Sequence, residues 1–211
     1  MNETSEETIE ASDFHKHAEK VKALNTIETF NEILKNQVVL FLLDAVDYQE
    51  SVIKVLKSLN YKKKTNGVYI TLNKPSSSIC KSFELENIDC NYLFFCDAVG
   101  KKLDERTLSF SPDGLSRLSI EITKLLASKK YDFILFDTVD AFLMYNKKES
   151  LEKFFVNVVY ISREYDAKCI LIGIKEALEE YKLHVAIERV SDRTLDLSTY
   201  HNKFDETFLR F

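Results

Sequence analysis

The chain has 211 residues, with 29 Lys and Arg against 34 Asp and Glu and a formal net charge of −5 at pH 7. Its hydrophobic residues, 45% of the total, are enough for a sizeable core and exclude wholesale disorder, and its net acidity argues against nucleic-acid binding, which needs a surplus of Lys and Arg. The chain contains only 4 Gly and 2 Pro, where average usage gives roughly 15 and roughly 10, so long helices and strands with few turns are expected.

Residues 1–13 form an acidic leader without a basic residue or an apolar core, which is the opposite of a secretory signal. The apolar stretches of the chain are far shorter than the roughly 20 residues that cross a bilayer. We therefore expect a cytoplasmic protein with no membrane segment. Residues 14–211 are expected to form one domain, which begins with an amphipathic helix or helix pair over residues 14–36.

A continuous apolar run, Val38–Leu43, predicts a strand buried on both faces, which is typical of a parallel sheet covered by helices. Helical and strand-like patterns then alternate to the end of the domain. The predicted helices are Ser51–Leu59, Ser76–Leu85, Leu115–Leu126, Leu151–Tyr165 and Ala177–Val190, and the further strands are Val68–Leu72, Tyr92–Cys96, Phe133–Phe136 and Cys169–Ile172. Alternation in Thr194–Leu197 and near Phe208–Phe211 favours a terminal hairpin at the sheet edge. This order predicts right-handed βαβ units in a three-layer α/β/α domain with a mainly parallel sheet.

Acidic residues follow three of the predicted strands, where ligands of open parallel sheets bind. They are Asp44, Asp97 and Asp137. Four apolar residues closed by an aspartate, as in Phe133–Asp137, are how P-loop nucleotide hydrolases present the carboxylate that holds the Mg²⁺ shell. An aspartate at a strand end also caps a helix or closes a turn, and the sequence leaves both interpretations open.

The loop after the first strand lacks the residues that would wrap a phosphate. A P-loop needs glycines and a lysine, whereas Asp44–Ser51 has neither, and no glycine precedes Gly67. Asp44, Asp47 and Glu50 lie where a triphosphate would sit and would repel it. Asp44, Asp47 and Ser51 are therefore interpreted as part of a degenerate nucleotide-binding loop, and we do not expect them to bind a nucleotide.

Several short segments between Gln37 and Leu197 match one family in order and spacing. They are Gly67–Pro75, Leu93–Asp97, Phe133–Val139, Lys153–Phe155 with Arg163, and Val190–Arg193. In these segments the chain resembles a RecA-type domain of the KaiC group, and in particular the archaeal KaiC-like proteins without an intact P-loop. The resemblance implies a RecA-like fold in which Asp137 holds the position of the metal-binding carboxylate.

Active members of that group carry a glutamate pair after the second strand, and one glutamate activates the attacking water. At the two positions that the resemblance matches to this pair, the chain has Asn73 and Lys74. Neither side chain can replace a carboxylate base at neutral pH. With the P-loop also missing, we expect no catalytic residue, no nucleotide-binding residue, no hydrolysis and no cofactor. The expected role is regulatory or scaffolding contact with a protein partner or with copies of the chain.

One alternative keeps a metal. Asp44, Asp97, Asp137 and Asp140 follow neighbouring strands, and if they converge their oxygens would take Mg²⁺ and allow residual ATP binding. Asp137 is the first choice for a ligand and Asp140 the second.

A second alternative is a nucleic-acid-binding relative of the recombinases. Lys62–Lys64 lies beside Tyr61 and Tyr69, a basic and aromatic pairing that suits single strands, although the net charge opposes it.

The four cysteines are spread along the chain without a C-x-x-C or Cys/His spacing, and three of them lie in apolar surroundings. They are Cys80, Cys90, Cys96 and Cys169. We expect buried structural thiols, with neither a disulfide nor a zinc site.

Overall fold

The computed structural model describes residues 35, 37–46, 48–60, 64–100 and 104–197. The predicted acidic leader, nearly all of the predicted helical region 14–36 and the segment 208–211 lie outside these ranges. No helix among the described residues is both long and apolar enough to cross a membrane.

The described residues form a central seven-stranded sheet in the order β4-β3-β2-β5-β6-β1-β7, and every pair of neighbouring strands in it is parallel. The strands are β1 (Val38–Leu43), β2 (Gly67–Thr71), β3 (Leu93–Asp97), β4 (Thr107–Ser109), β5 (Phe133–Asp137), β6 (Lys168–Ile174) and β7 (Arg193–Asp196). The predicted mainly parallel sheet is confirmed. Its carboxyl edge collects the loops that follow all the strands.

Helices cover both faces of the sheet. They are α1 (Tyr48–Leu59), α2 (Ser76–Leu85), α3 (Leu115–Ala127), α4 (Lys148–Glu164), α5 (Lys175–Glu180) and α6 (Leu183–Glu188), with short 3₁₀ turns at Cys90–Tyr92 and Asp140–Met144. The apolar side chains of α1 and α2 pack on one face, and those of α3 to α6 pack on the other. The predicted three-layer α/β/α arrangement is confirmed.

Alternate side chains of β1 divide between the two cores. Val38, Leu40 and Leu42 face the core under α3 to α6, whereas Val39 and Phe41 face the core under α1 and α2. All six residues of the strand are buried. A strand with apolar residues on both faces is stable only between two helical layers, which explains why the sequence shows no polar alternation here.

Segment Arg193–Asp196 forms β7 and pairs with β1 in parallel at the edge of the described sheet, while the other arm of the predicted hairpin, near Phe208–Phe211, lies outside the described residues. Two element predictions need correction. The predicted helix Ala177–Val190 is broken into α5 and α6 because Lys182 adopts a left-handed conformation with φ 54°. Helix α1 begins at Tyr48, three residues before the predicted start at Ser51, and this earlier start places Tyr48 at the candidate site.

Candidate functional site

The candidate site lies at the carboxyl edge of the sheet, where β5 ends at Asp137. Residues Thr71 of β2 and Asp137 of β5 are opposite each other in the parallel register. The Asp137 side chain is almost completely buried, with 4% of the residue exposed. A buried carboxylate needs hydrogen-bond donors or a cation to remain stable, so its partners determine what this site can do.

Two tyrosine hydroxyls engage the two oxygens of Asp137. Tyr48, the first residue of α1, donates to Oδ1, and Tyr69, in the middle of β2, donates to Oδ2. Tyr69 is fully buried, and its ring contacts Phe83 and Phe95 with centroid separations of 5.8 and 5.5 Å. The two phenols, called here the tyrosine clasp, each donate a hydrogen bond to one oxygen of the carboxylate.

The electrostatics of the clasp follow from burial. Burial raises the pKa of Asp137, and the hydrogen bonds from Tyr48 and Tyr69 together with the Lys74 ammonium offset only part of that rise. Burial and the nearby Asp137 charge raise the pKa of both tyrosines, so each phenol keeps its proton and acts as a donor throughout the neutral range.

A small cavity lies next to the clasp. It is lined by Tyr48, Gln49, Val52, Tyr69, Lys74, Ile79, Ser82, Phe83 and Asp137, and its volume is about 20 Å³. That volume holds about one water molecule, whereas small-molecule sites measure roughly 300–1,000 Å³. Across the rim, Lys74 Nζ donates to Gln49 Oε1 at 3.2 Å. The cavity itself is therefore far smaller than a small-molecule site.

The neighbouring polar groups are also engaged with one another. Asp140 Oδ1 accepts a hydrogen bond from the Ile174 backbone N–H at 2.9 Å, and burial raises the pKa of Asp140. The Asn73 amide donates to the Thr138 hydroxyl at 3.4 Å. Asn73 and Lys74 thus lie beside Asp137, at the place that the resemblance assigned to the catalytic glutamates.

For Asp97, the structure favours the capping interpretation of an aspartate at a strand end, because its carboxylate accepts backbone hydrogen bonds. Its carboxylate accepts hydrogen bonds from the N–H groups of Ser76, Val99 and Gly100 at 2.6, 2.8 and 2.7 Å. Burial alone would raise the pKa of Asp97, but these donors hold it below its usual value. The Ser76 N–H begins α2, so Asp97 caps that helix and closes the loop after β3.

The remaining loop residues do not assemble a ligand site. Asp44 lies half-buried after β1. The Lys175 ammonium donates to Asp196 at 2.8 Å, and this hydrogen bond is the main cause of the raised pKa of Lys175, to which the Asp44 charge adds a smaller effect. Ser51 is buried within α1, and Asp47 lies outside the described residues. Within the described ranges, no three His, Cys, Asp or Glu side chains are grouped so as to hold a metal, so the expected convergence of four carboxylates is not found.

The structure does not place Tyr69 beside Lys64 on a surface that could bind a single strand, as the nucleic-acid alternative required. Tyr69 points into the core as part of the clasp and is not available to stack on a base. The Lys64 ammonium lies over the Tyr92 ring, 4.8 Å from its centroid, while residues 61–63 lie outside the described part of the chain.

Sequence reasoning did not identify Tyr48 and Tyr69 as partners of Asp137. The available signal was modest: Tyr69 places a hydroxyl in a strand of otherwise apolar and β-branched residues, and a buried tyrosine hydroxyl needs a hydrogen-bond partner. Tyr48 gave no signal, because its position depends on where α1 begins.

Comparison with solved structures finds the same architecture in a KaiC-like protein from the hyperthermophilic archaeon Pyrococcus horikoshii OT3. The TM-score is 0.56 at 12% sequence identity, and the alignment covers 76% of this chain and 71% of that chain. At this identity the likeness shows the fold alone, which is RecA-like α/β. No protein-family model matches the chain. No curated protein matches its sequence.

Proposed function

We propose that the chain is a non-catalytic RecA-like domain, a pseudo-ATPase, that acts in the cytoplasm by contact with a protein partner or with copies of itself. The tyrosine clasp carries this proposal. Asp137 holds the position at which related folds place the metal-binding carboxylate, and both of its oxygens accept hydrogen bonds from Tyr48 and Tyr69.

Binding of Mg²⁺ and ATP would require several changes at once. The hydrogen bonds from Tyr48 and Tyr69 to Asp137 would have to break or rearrange. Hydrogen bonds of this kind are each worth about 1.5–3 kcal/mol. The loop offers no lysine in return, and Asp44 and Glu50 add negative charge there. These costs support the loss of nucleotide binding.

A thermal-shift titration with ATP, ADP and Mg²⁺ tests the proposal. A ligand at 100 times its dissociation constant adds about 2.7 kcal/mol, which would raise the melting temperature of a domain of this size by roughly 5–10 °C. We expect no shift for the wild type or for Asp137→Asn, and no phosphate release from ATP. A shift in the wild type that Asp137→Asn removes would overturn the proposal in favour of a nucleotide-binding ATPase-like protein.

The contact role is supported by exposed apolar side chains in the loops at the carboxyl edge. Val46, after β1, is 93% exposed, Val99, after β3, is 53% exposed, and Met144 and Tyr145, after β5, are 79% and 50% exposed. Met144 and Tyr145 are adjacent in the chain, and adjoining exposed apolar residues mark interaction sites more often than isolated ones do.

This contact role can be tested by light scattering coupled to size-exclusion chromatography. The double variant Met144→Ser/Tyr145→Ser should weaken self-association or the binding of a captured partner. Leu85→Ser is the matched control, because Leu85 is 85% exposed but is the last residue of α2, away from the carboxyl edge of the sheet. Equal effects of the two variants, or a monomer that captures no partner, would contradict the contact role.

A further inference from the structure

The chain contains one Asn–Gly pair, Asn66–Gly67, and the structure places it at the amino edge of the sheet. Asn66 is exposed and comes directly before β2, whereas Gly67 is the buried first residue of that strand. When glycine follows an asparagine, its backbone nitrogen reaches the asparagine side chain most easily, because glycine has no Cβ to block the approach. The side-chain amide of Asn66 is therefore open to attack from its own backbone.

The packing of β5 explains why glycine follows Asn66. Gly67 and Phe133 are opposite each other in the register of β2 and β5. A Cβ on Gly67 would overlap the ring of Phe133, which is completely buried. The core therefore requires a glycine here, and this requirement leaves the exposed asparagine beside the neighbour that hinders the attack least.

We propose that Asn66 is a deamidation site, at which the side-chain amide is converted to aspartate or isoaspartate, and that Asp132 controls the rate. The site is separate from the tyrosine clasp and does not depend on whether the domain binds nucleotide.

Asp132, the residue before β5, holds the backbone of Asn66 through two hydrogen bonds. The Asn66 N–H donates to Asp132 Oδ2 at 2.9 Å, and the Asp132 N–H donates to the Asn66 carbonyl oxygen at 2.7 Å. Attack by the Gly67 nitrogen requires a rotation of the backbone between Asn66 and Gly67, which moves that carbonyl away from the Asp132 N–H. The reaction therefore proceeds when these bonds open, and their strength sets its rate.

The reaction consumes one water molecule and releases one ammonia. The Gly67 nitrogen forms a bond to Cγ of Asn66 and loses its proton, while the bond from Cγ to Nδ2 breaks and Nδ2 takes up a proton and leaves as ammonia. The resulting succinimide ring opens when water adds to one of its two carbonyl carbons. Addition at Cγ gives aspartate, and addition at the backbone carbonyl carbon gives isoaspartate.

Both products disturb the start of the β2–β5 pair. Each adds a carboxylate at position 66 beside that of Asp132, and like charges repel. Isoaspartate also lengthens the main chain by one CH₂, which displaces the carbonyl before Gly67 from the Asp132 N–H. Because β2 carries Tyr69, this change loosens the strand that supplies one half of the tyrosine clasp.

The test follows the folded full chain at mildly alkaline pH, with the same chain unfolded in urea as the reference. Trypsin leaves Asn66 and Asn73 in one peptide, Thr65–Lys81, because proline follows Lys74 and prevents cleavage there. Asn73 is also exposed but precedes lysine, so it is the matched control within that peptide. Mass spectrometry with electron-transfer fragmentation locates the modified residue and separates isoaspartate from aspartate. We expect the folded chain to lose the Asn66 amide and to keep that of Asn73.

Two variants test the role of Asp132. Asp132→Ala removes the carboxylate acceptor, so the rate at Asn66 should rise about two- to tenfold, the change that corresponds to one hydrogen bond. Asp132→Asn keeps an amide oxygen as acceptor and should stay near the wild-type rate. Equal acceleration of Asn66 and Asn73 in Asp132→Ala would assign the effect to unfolding of the whole domain and overturn the role of Asp132.

Three further results would each overturn the proposal. They are an Asn66 amide that persists in the folded chain after the urea-unfolded chain has been converted, equal conversion of Asn66 and Asn73 in the folded wild type, and an unchanged rate in Asp132→Ala.

Discussion

Removal of either clasp hydroxyl should destabilise the fold measurably. Tyr48→Phe and Tyr69→Phe keep the rings, including the contacts of the Tyr69 ring with Phe83 and Phe95, and delete only the donors to Asp137. Because 96% of Asp137 is shielded from water, solvent cannot replace the lost donor. We expect each variant to lose about 1.5–3 kcal/mol of unfolding free energy, the range for hydrogen bonds to charged groups.

A double-mutant cycle isolates the carboxylate from the general effects of substitution. With Asn at position 137 the partner is neutral, so Tyr69→Phe should then cost only about 0.5–1.5 kcal/mol, which leaves a coupling energy of about 1 kcal/mol. The variant that lacks both hydroxyls should lose less than the sum of the single losses, because Asp137 can take up a proton once both donors are gone.

Urea unfolding followed by circular dichroism measures these differences, and it suits a chain without tryptophan. Tyr160→Phe is the matched control, since Tyr160 is 64% exposed on α4 and should stay within about 0.5 kcal/mol of the wild type. If Tyr48→Phe and Tyr69→Phe also stay within that margin, the hydroxyls do not hold Asp137 and the main argument for a closed site is refuted.

The remaining predictions concern pH and backbone support. Because burial raises the folded-state pKa of Asp137, its contribution to stability is present in acid and is lost as pH rises through that pKa. In urea titrations the stability of Asp137→Asn relative to the wild type should therefore increase as pH rises above the usual range of a carboxyl group. Asp97→Ala should lose about 2–4 kcal/mol at pH 7, because three N–H groups lose a charged acceptor and the one from Ser76 is buried, and the loss should shrink in acid, where the wild-type carboxylate becomes protonated. Gly67→Ala should destabilise by about 1–3 kcal/mol in calorimetry, because its Cβ would clash with the buried Phe133 ring. The half-buried Gly114, which precedes α3 and where the nearest atom to an added Cβ would be 3.1 Å away, serves as the comparison.

The strands were the most predictable part of the fold. Runs such as Val38–Leu43 and Phe133–Phe136 are apolar on both faces, and only a parallel sheet between helical layers buries both faces. The three-residue strand β4 was not predicted because it is too short to show a pattern. The break at Lys182 was missed because no glycine marks the left-handed residue.

At the candidate site, the sequence located Asp137 but not its partners. Its place at the end of an apolar strand follows from local pattern, whereas the hydroxyls that engage it come from residues 89 and 68 positions away along the chain. Such contacts depend on strand order, and a single sequence does not encode strand order locally.

The position of β1 has a consequence for how the protein is made. β1 pairs only with β6 and β7 among the described strands, so the residues of its partners, from Lys168 onward, are synthesised last. At roughly 5–20 residues per second, the run Val38–Leu43 waits several seconds on the ribosome before a partner strand emerges. During that interval six consecutive apolar residues have no sheet to join. The first of the described strands to be synthesised is therefore among the last of them to be buried, and this segment is where we expect a nascent chain to need a chaperone.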